Sequence, residues 1–200
     1  MAETIFEMRR HHGDVRTQQQ SIQIMIPVNL RNRFASKTLR NFSLYALPCV
    51  TPHQAELPFE ELIDHIAVQL KEQFSEEHLA AMMTTNVKLQ KIPFFQFIPL
   101  RIKNLLLRVG FHFCGERNSC LTLSNLGEIT YPPEMKRCIQ QIDFALTPRR
   151  NAPYNCGIVS CNGKLAINFS KKNSEGKVYE YFSQYLSELG YQAELNNNGQ

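Results

Sequence analysis

The sequence predicts an α/β fold, namely a mixed, largely antiparallel sheet with helices packed on it. Apolar runs of strand-like residues lie at positions 24–28 and 119–126. Two other segments, one after Pro58 and one after Ser174, repeat apolar residues at the three-and-four spacing of an amphipathic helix. Asn162-Gly163 separates two further apolar runs and is a strong hairpin signal, because both residues tolerate positive φ.

Composition indicates a globular domain. Of 200 residues, 43% are hydrophobic and 20% charged, which is enough apolar material for one core. The net charge is +4 and the basic residues are interspersed with acids, so the concentrated basic face that nucleic acid requires is missing. No apolar run reaches the ~20 residues of a transmembrane helix. Six cysteines without a CxxC pair, and no apolar leader, predict a cytoplasmic protein with reduced thiols.

The first part of the chain reads as helix, strand, loop and strand. Residues 2–12 favour a short helix that Gly13 ends, and residues 16–20 form a polar connector. The apolar run at 24–28 ends at Asn29-Leu30-Arg31, and a basic loop then leads to a second apolar run at 42–50. Polar groups therefore gather at one end of the predicted sheet.

Two helical patterns follow. After Pro58 one helix shows a single apolar stripe, and Ser75 is a suitable N-cap for a restart. The aromatic patch at 94–97 precedes a helical pattern that Gly110 ends. We expect this region to pack in a core or a lobe interface. A membrane-surface helix over 94–108 is the alternative, because basic and apolar residues are combined there. The basic residues are Arg101, Lys103 and Arg108.

The last third predicts strands at 119–126 and 139–146, and a hairpin of 156–161 with 164–170. Cys156 and Cys161 are interpreted as flanking this hairpin, although spacing alone predicts no disulfide. Ser174 caps a final helix that ends at Gly190. Residues 191–195 are predicted to add a short edge strand.

Two motifs carry a resemblance to a known family. The first is Pro27-Val28-Asn29-Leu30-Arg31 with Thr38-Leu39-Arg40-Asn41-Phe42, and the second is Thr122-Leu123-Ser124-Asn125-Leu126-Gly127 followed by Pro132-Pro133. In this order they resemble the C-terminal lobe of alcohol acetyltransferase-like proteins, of the condensation-domain or chloramphenicol acetyltransferase-like (coenzyme A-dependent acyltransferase) superfamily. The resemblance implies a leading helix and connector at 1–20, the lobe at 21–195 and a polar tail at 196–200.

The resemblance also implies an activity and a missing part. Such enzymes transfer an acyl group from a thioester of coenzyme A or a carrier protein to an alcohol or amine. Their catalytic HHxxxDG signature belongs to the N-terminal lobe, and His11-His12-Gly13-Asp14 has the wrong spacing to replace it. We therefore expect an N-terminal lobe upstream in the same polypeptide, no catalytic residue in this chain, and no activity of the chain alone.

Other catalytic chemistries find little support in the residues. His53, His65, His78 and His112 are isolated and lack the spacing of a metal pair, so no metal site is predicted. No GxSxG elbow or glycine-rich phosphate loop is present. A thiol site built from Cys114 and Cys120 with His112 is a weak alternative to inert cysteines.

The site candidates are therefore binding residues. Ser124, Asn125 and Gly127 either line the cleft between lobes, as the resemblance implies, or form a turn after a strand. Arg31 and Arg40, with Arg33 and Lys37, form a solvated basic loop or contact the phosphates of coenzyme A or an acidic carrier protein. No covalent cofactor is expected; the resemblance implies acyl-coenzyme A as one candidate substrate of the full-length protein, and an acyl carrier protein as the other candidate donor. The alternative function is a non-enzymatic interaction module that binds a partner protein or an apolar ligand. We assign structural roles in the first place to five motif residues, which are Pro27, Asn29, Arg31, Arg40 and Asn41.

Overall fold

The backbone forms a six-stranded sheet with six helices over the residues that the computed structural model describes, which are 1–12, 18–39, 41–91, 98–114, 119–136, 138–148, 154–171 and 178–196. The helices are α1 (Ala2–His12), α2 (Phe59–Gln73), α3 (Glu76–Lys91), α4 (Leu100–Cys114), α5 (Pro133–Lys136) and α6 (Val178–Glu188). The strands are β1 (Ile22–Asn29), β2 (Ser43–Ala46), β3 (Cys49–Val50), β4 (Ser119–Glu128), β5 (Tyr154–Cys161) and β6 (Lys164–Lys171).

The sheet is mixed, which confirms the predicted fold class. Its order is β2-β1-β4-β5-β6, and β3 also pairs with β1. The central pairs β1–β4 and β4–β5 are parallel, whereas β2, β3 and β6 pair antiparallel with their neighbours. Because β1, β4 and β5 run in the same direction, their carboxyl ends lie at one end of the sheet, which is called here the carboxyl edge.

The predicted hairpin is confirmed. Asn162 and Gly163 have φ values of 52° and 77°, and Cys161 pairs with Lys164 across the turn. The interpretation that Cys156 and Cys161 flank this hairpin is wrong, because both lie in β5. Successive side chains of a strand point to opposite faces, so these two cysteines lie on opposite faces and do not bridge.

The hydrophobic core lies on one face of the sheet, beneath α1, α2 and α6. The predicted helix α1 is confirmed and contributes the buried Ile5 and Phe6. Phe169 of β6 contacts Phe182 of α6, with 5.3 Å between ring centroids. The buried members of this core are Ala2, Ile5, Phe6, Ile22, Val50, Leu62, Leu121, Cys156 and Val178.

Helix α2 supports the β2–β3 region through glutamine side chains. Gln69 accepts the N–H of Cys49 and donates to its carbonyl, both at 2.8 Å, and Gln73 accepts the N–H of Leu47 at 2.6 Å. The apolar stripe predicted for this helix is only partly buried, since Leu62 lies in the core while Ile63 is exposed. The restart after α2 is confirmed, because Ser75 Oγ caps α3.

Residues 139–146 do not form the predicted strand. They belong to an extended segment, 138–148, called here the crossing segment, which lies on the sheet face opposite the core. Strand side chains hold it: Ser170 Oγ donates to the Leu146 carbonyl, and Asn168 donates to the Asp143 carboxylate at 3.3 Å. An apolar run therefore packs on this face without joining the backbone ladder.

The end of α6 follows the prediction, but the edge strand after it does not. Gly190 has φ 84°, its N–H donates to the Ser187 carbonyl, and the Tyr191 N–H donates to the Leu186 carbonyl. These two bonds are those of a Schellman motif. Residues 191–196 form no strand and are exposed, so the predicted edge strand is wrong. The predicted cap Ser174 lies outside the described residues.

The side chains of helix α4 that the structure describes lie outside the core, where core packing was one of the two expectations. Its large apolar side chains with described positions are exposed, and the aromatic patch at 94–97 lies outside the described residues. None of the described core residues comes from α4, so the expected core packing is not found, and packing against another lobe stays a prediction. Among the described residues, no helix has the length and apolar character to cross a membrane.

Candidate functional site

The two sequence motifs meet at the carboxyl edge of the sheet. Asn29 is the last residue of β1, and the Ser124-Asn125 pair lies near the end of β4. Strands β1 and β4 are parallel neighbours, with Met25 aligned with Thr122, so both motifs lie at the same end of the sheet. In α/β sheets, this is the end at which ligands commonly bind.

Asn125 and Gly127 form a bulge in β4. The register with β5 shifts between Asn125 and Glu128, and Gly127 has φ 73°. The Gly127 N–H donates to Asn125 Oδ1 at 2.8 Å, so this amide oxygen supports the bulge. Bulges redirect side chains and are frequent beside functional sites. Gly127 and one atom of Asn125 thus have a local backbone role, in a bulge inside β4 instead of the predicted turn after a strand.

Ser124 belongs to a row of polar side chains on the face opposite the core. Leu121 and Leu123 pack with the core, so alternation places Thr122 and Ser124 on the other face. Asn155 of β5 is the register partner of Thr122. We call Thr122, Ser124 and Asn155 the polar row.

Two atoms of the polar row are buried without hydrogen bonds to described residues. Thr122 Oγ1 and Asn155 Oδ1 are these atoms, although Asn155 Nδ2 donates to the Thr147 carbonyl at 2.8 Å. A buried polar atom without a partner costs about 1–3 kcal/mol, so such atoms are rare in native proteins. Both can accept a hydrogen bond, and the threonine hydroxyl can also donate one.

The crossing segment passes directly over β5 beside the polar row. A Cβ added to Gly157, the register partner of Ser124, would lie 2.1 Å from the Phe144 carbonyl oxygen. Glycine at this position therefore lets the crossing segment lie against the strand. The segment and β4 together leave Ser124 half-buried.

The first motif stabilises its own loop. Asn29 Oδ1 accepts the Arg31 N–H at 3.1 Å, and the Arg31 guanidinium donates to the Thr38 carbonyl at 3.2 Å. Pro27 aligns with Tyr45, and Ser43 Oγ donates to Asn41 Oδ1 at 2.8 Å, so these residues belong to the β1–β2 region. The remaining motif residue, Arg40, lies outside the described residues, so its predicted place in the basic loop stays a prediction.

Two histidines have local side-chain partners. His11 lies 3.8 Å from the Glu7 carboxylate and stacks on Tyr181, and His65 Nε2 is 2.8 Å from Gln54 Nε2. The side chain of His12 and all of Asp14 lie outside the described residues, as do the side chains of His112 and Cys114.

The described thiols and carboxylates do not build another site. Burial raises the pKa of the Cys156 thiol to about 12, which keeps it protonated and unreactive. Arg9 donates to Cys120 Sγ at 3.0 Å. No group of three metal-ligating side chains is present among the described residues.

A groove runs along the outer edge of β6, and the sequence did not predict it. It encloses about 980 Å³ between β6, α6, residues 141–143 of the crossing segment and residues 191–196. Strand β6 is at the end of the sheet order, so one backbone edge faces this groove. The apolar and aromatic residues along it include Leu165, Phe169, Phe182, Leu186 and Tyr191.

Comparison with known proteins supports the fold. No protein-family model matches the chain, and no curated protein matches it. Among solved structures, vinorine synthase, a BAHD acyltransferase, matches with a TM-score of 0.50 and 12% sequence identity. The match covers 93% of this chain and 39% of vinorine synthase. The chain has an acyltransferase-like fold. At this identity, the similarity shows the fold alone.

Sequence reasoning found part of this candidate site within the acyltransferase-like fold. It predicted Ser124, Asn125 and Gly127 from one motif. It missed Thr122, although period-two alternation from Ser124 would have found it. It also missed Asn155, because only the strand register brings β5 beside β4.

Proposed function

We propose that this chain is the C-terminal lobe of an alcohol acetyltransferase-like enzyme of the condensation-domain superfamily. The observation that carries the proposal is the unequal coverage of the fold match. The match covers 93% of this chain but only 39% of vinorine synthase. One lobe of a longer acyltransferase would give such a match. The lobe would span residues 21–195, preceded by the helix and connector of 1–20.

The proposed reaction moves an acyl group from a thioester to an alcohol or amine. The N-terminal lobe, upstream in the same polypeptide, would supply the histidine that removes the acceptor proton. The acceptor then attacks the thioester carbonyl, the C–S bond breaks, and the thiol of coenzyme A or of a carrier protein leaves. The acyl donor of the full-length protein is thus either acyl-coenzyme A or an acyl carrier protein.

The role proposed for this chain is to form one wall of the cleft. Ser124 is half-buried near the carboxyl edge, and Thr122 and Asn155 beside it have buried atoms able to accept hydrogen bonds. Ser124 keeps exposed surface and can orient a polar part of a substrate, whereas Thr122 and Asn155 are buried against the chain itself. We assign Ser124 a binding role, because no general base stands beside it among the described residues.

A first experiment tests the division of labour between lobes. The chain alone is incubated with acetyl-coenzyme A and a panel of alcohols, and thiol release is followed. We expect release at the rate of buffer without protein. Turnover by the chain alone that a single histidine substitution abolishes would contradict the proposal.

A second experiment tests the cleft wall in the polypeptide that carries both lobes. Loss of one neutral hydrogen bond costs about 0.5–1.5 kcal/mol, so Ser124→Ala should raise KM severalfold with little change in kcat. Ser160→Ala, on β5, is the matched control and should leave both constants unchanged. Equal KM values for the two variants would argue against a substrate contact at Ser124.

The second candidate function is a non-enzymatic interaction module, and the β6 groove is the observation that favours it. An extended partner segment could pair with the open edge of β6 and place apolar side chains in the groove. Tight partner binding by a chain whose coding region holds no upstream acyltransferase lobe would favour this alternative.

A further inference from the structure

One face of α4 is apolar and exposed. Ile102, Leu105, Leu106 and Val109 follow the i, i+3, i+4, i+7 spacing that places side chains on one helix face. Their exposed fractions are 51%, 61%, 42% and 47%, respectively. Removing each of these apolar side chains from water would lower the free energy of the system. No other described element of the chain covers this face extensively.

All formally charged side chains of the same helix are basic. Arg101, Lys103 and Arg108 lie on α4, which contains no acidic residue. On a helical wheel, Arg101 and Arg108 lie on one flank of the apolar face and Lys103 on the other. None of the three forms an ion pair with a residue that the structure describes. Their charge is therefore available to an anionic partner.

We propose that α4 is a membrane-surface helix that binds anionic phospholipid. An apolar face flanked by basic side chains is the arrangement with which interfacial helices insert into the headgroup region, with the bases beside lipid phosphates. Charge complementarity selects this occupant: a protein partner that covered only the leucines would leave three cations unmatched. The membrane contact is separate from the acyl-transfer chemistry, because it does not involve the polar row.

Vesicle binding tests the proposal directly. The chain is sedimented with vesicles of phosphatidylcholine alone and with vesicles that contain about 30% phosphatidylserine. We expect binding to the anionic vesicles only, and weaker binding at high salt, because salt screens the contribution of the basic residues. Binding that is equal for both vesicle types, or absent from both, would refute the proposal.

Matched variants locate the contact on α4. Leu105→Asn should reduce vesicle affinity about tenfold, since burial of a leucine side chain stabilises by about 1.5–3 kcal/mol. Leu165→Asn is the control, because Leu165 on β6 has the same exposed fraction of 61%. Both changes are at exposed positions, and circular dichroism verifies the fold. If the two variants bind vesicles equally, α4 is not the contact.

Charge variants separate the lipid surface from a purely apolar contact. Arg101→Gln with Arg108→Gln should weaken binding about 25-fold, because each basic residue near an anionic surface contributes about 1 kcal/mol. Lys71→Gln with Lys164→Gln makes the same change in net charge elsewhere and should have a much smaller effect. Similar losses in the two pairs would show that net charge alone drives binding and would overturn the assignment to α4.

A fluorescence probe gives an independent readout. The chain contains no tryptophan, so a single introduced residue reports without background. The emission of Leu105→Trp should shift to the blue on addition of anionic vesicles, whereas that of Leu165→Trp should not. A chain that is dimeric by light scattering and becomes monomeric with Leu105→Asn would instead show that a second copy covers this face.

Discussion

Gly157 is the position where one added methyl group most directly tests the packing beside the candidate site. It lies inside β5, between its register partners Ser124 of β4 and Asn168 of β6. A Cβ there would lie 2.1 Å from the Phe144 carbonyl oxygen, while ordinary contacts begin near 3.4 Å. The crossing segment would have to retreat by more than 1 Å.

The structure gives the size of the expected loss. Retreat strains the hydrogen bonds that Asn155, Asn168 and Ser170 make to the crossing segment, and each such bond contributes about 1 kcal/mol. Overpacking costs about 1–3 kcal/mol, whereas replacing a strand glycine by alanine recovers about 0.5–1 kcal/mol of backbone entropy. We therefore expect Gly157→Ala to lower the free energy of unfolding by about 2 kcal/mol.

Urea unfolding followed by circular dichroism measures this change. Asn155→Ala loosens the same segment, so the double variant should lose less than the sum of the two single losses. Ser160→Ala on the same strand serves as the control and should change little. A loss for Gly157→Ala below about 0.5 kcal/mol, or strict additivity with Asn155→Ala, would refute the account of the crossing segment.

Three further predictions concern a helix end, a loop and a thiol. Gly190→Ala should destabilise the protein by about 1 kcal/mol in a thermal melt, because alanine resists positive φ and nothing else lies near the added methyl group; an unchanged midpoint would contradict this. Asn29→Ala removes the side-chain oxygen that accepts the Arg31 N–H, so trypsin should cleave the 33–39 loop faster than in the parent chain. Equal cleavage rates would argue against a stabilising role of the motif in this loop. Burial raises the pKa of Cys156 from 9.0 to about 12, so the folded state favours the protonated thiol. The contribution of this thiol to the free energy of unfolding is therefore complete below pH 9. As pH rises from 9 toward 12, the free energy of unfolding falls by up to about 1.4 kcal/mol per pH unit. Cys156→Ala should flatten this decline, whereas Cys138→Ala, at an exposed position, should leave it unchanged.

Local chemistry made several elements predictable. The hairpin at Asn162-Gly163 and the end of α6 at Gly190 both depend on positive φ, which glycine and asparagine adopt readily. Ser75 caps α3 because its hydroxyl accepts the His78 N–H. Each feature depends on residues that are neighbours in sequence, so the sequence alone predicts it.

Long-range pairing explains what the sequence did not predict. The apolar pattern at 139–146 fits a strand, but side chains of the hairpin turn and of β6 donate hydrogen bonds to it, and no backbone ladder forms. The candidate site shows the same limit. One motif predicts Ser124, whereas Asn155 joins it only through the β4–β5 register.

The most direct test of the central claim is the coding sequence immediately upstream of residue 1. The account predicts an open reading frame that continues upstream and encodes a lobe with the HHxxxDG signature, in frame with Met1. Transcript sequencing across this junction supplies the measurement. A start codon at Met1 with an in-frame stop codon before it, and no such lobe, would contradict the claim that this chain is half of an acyltransferase.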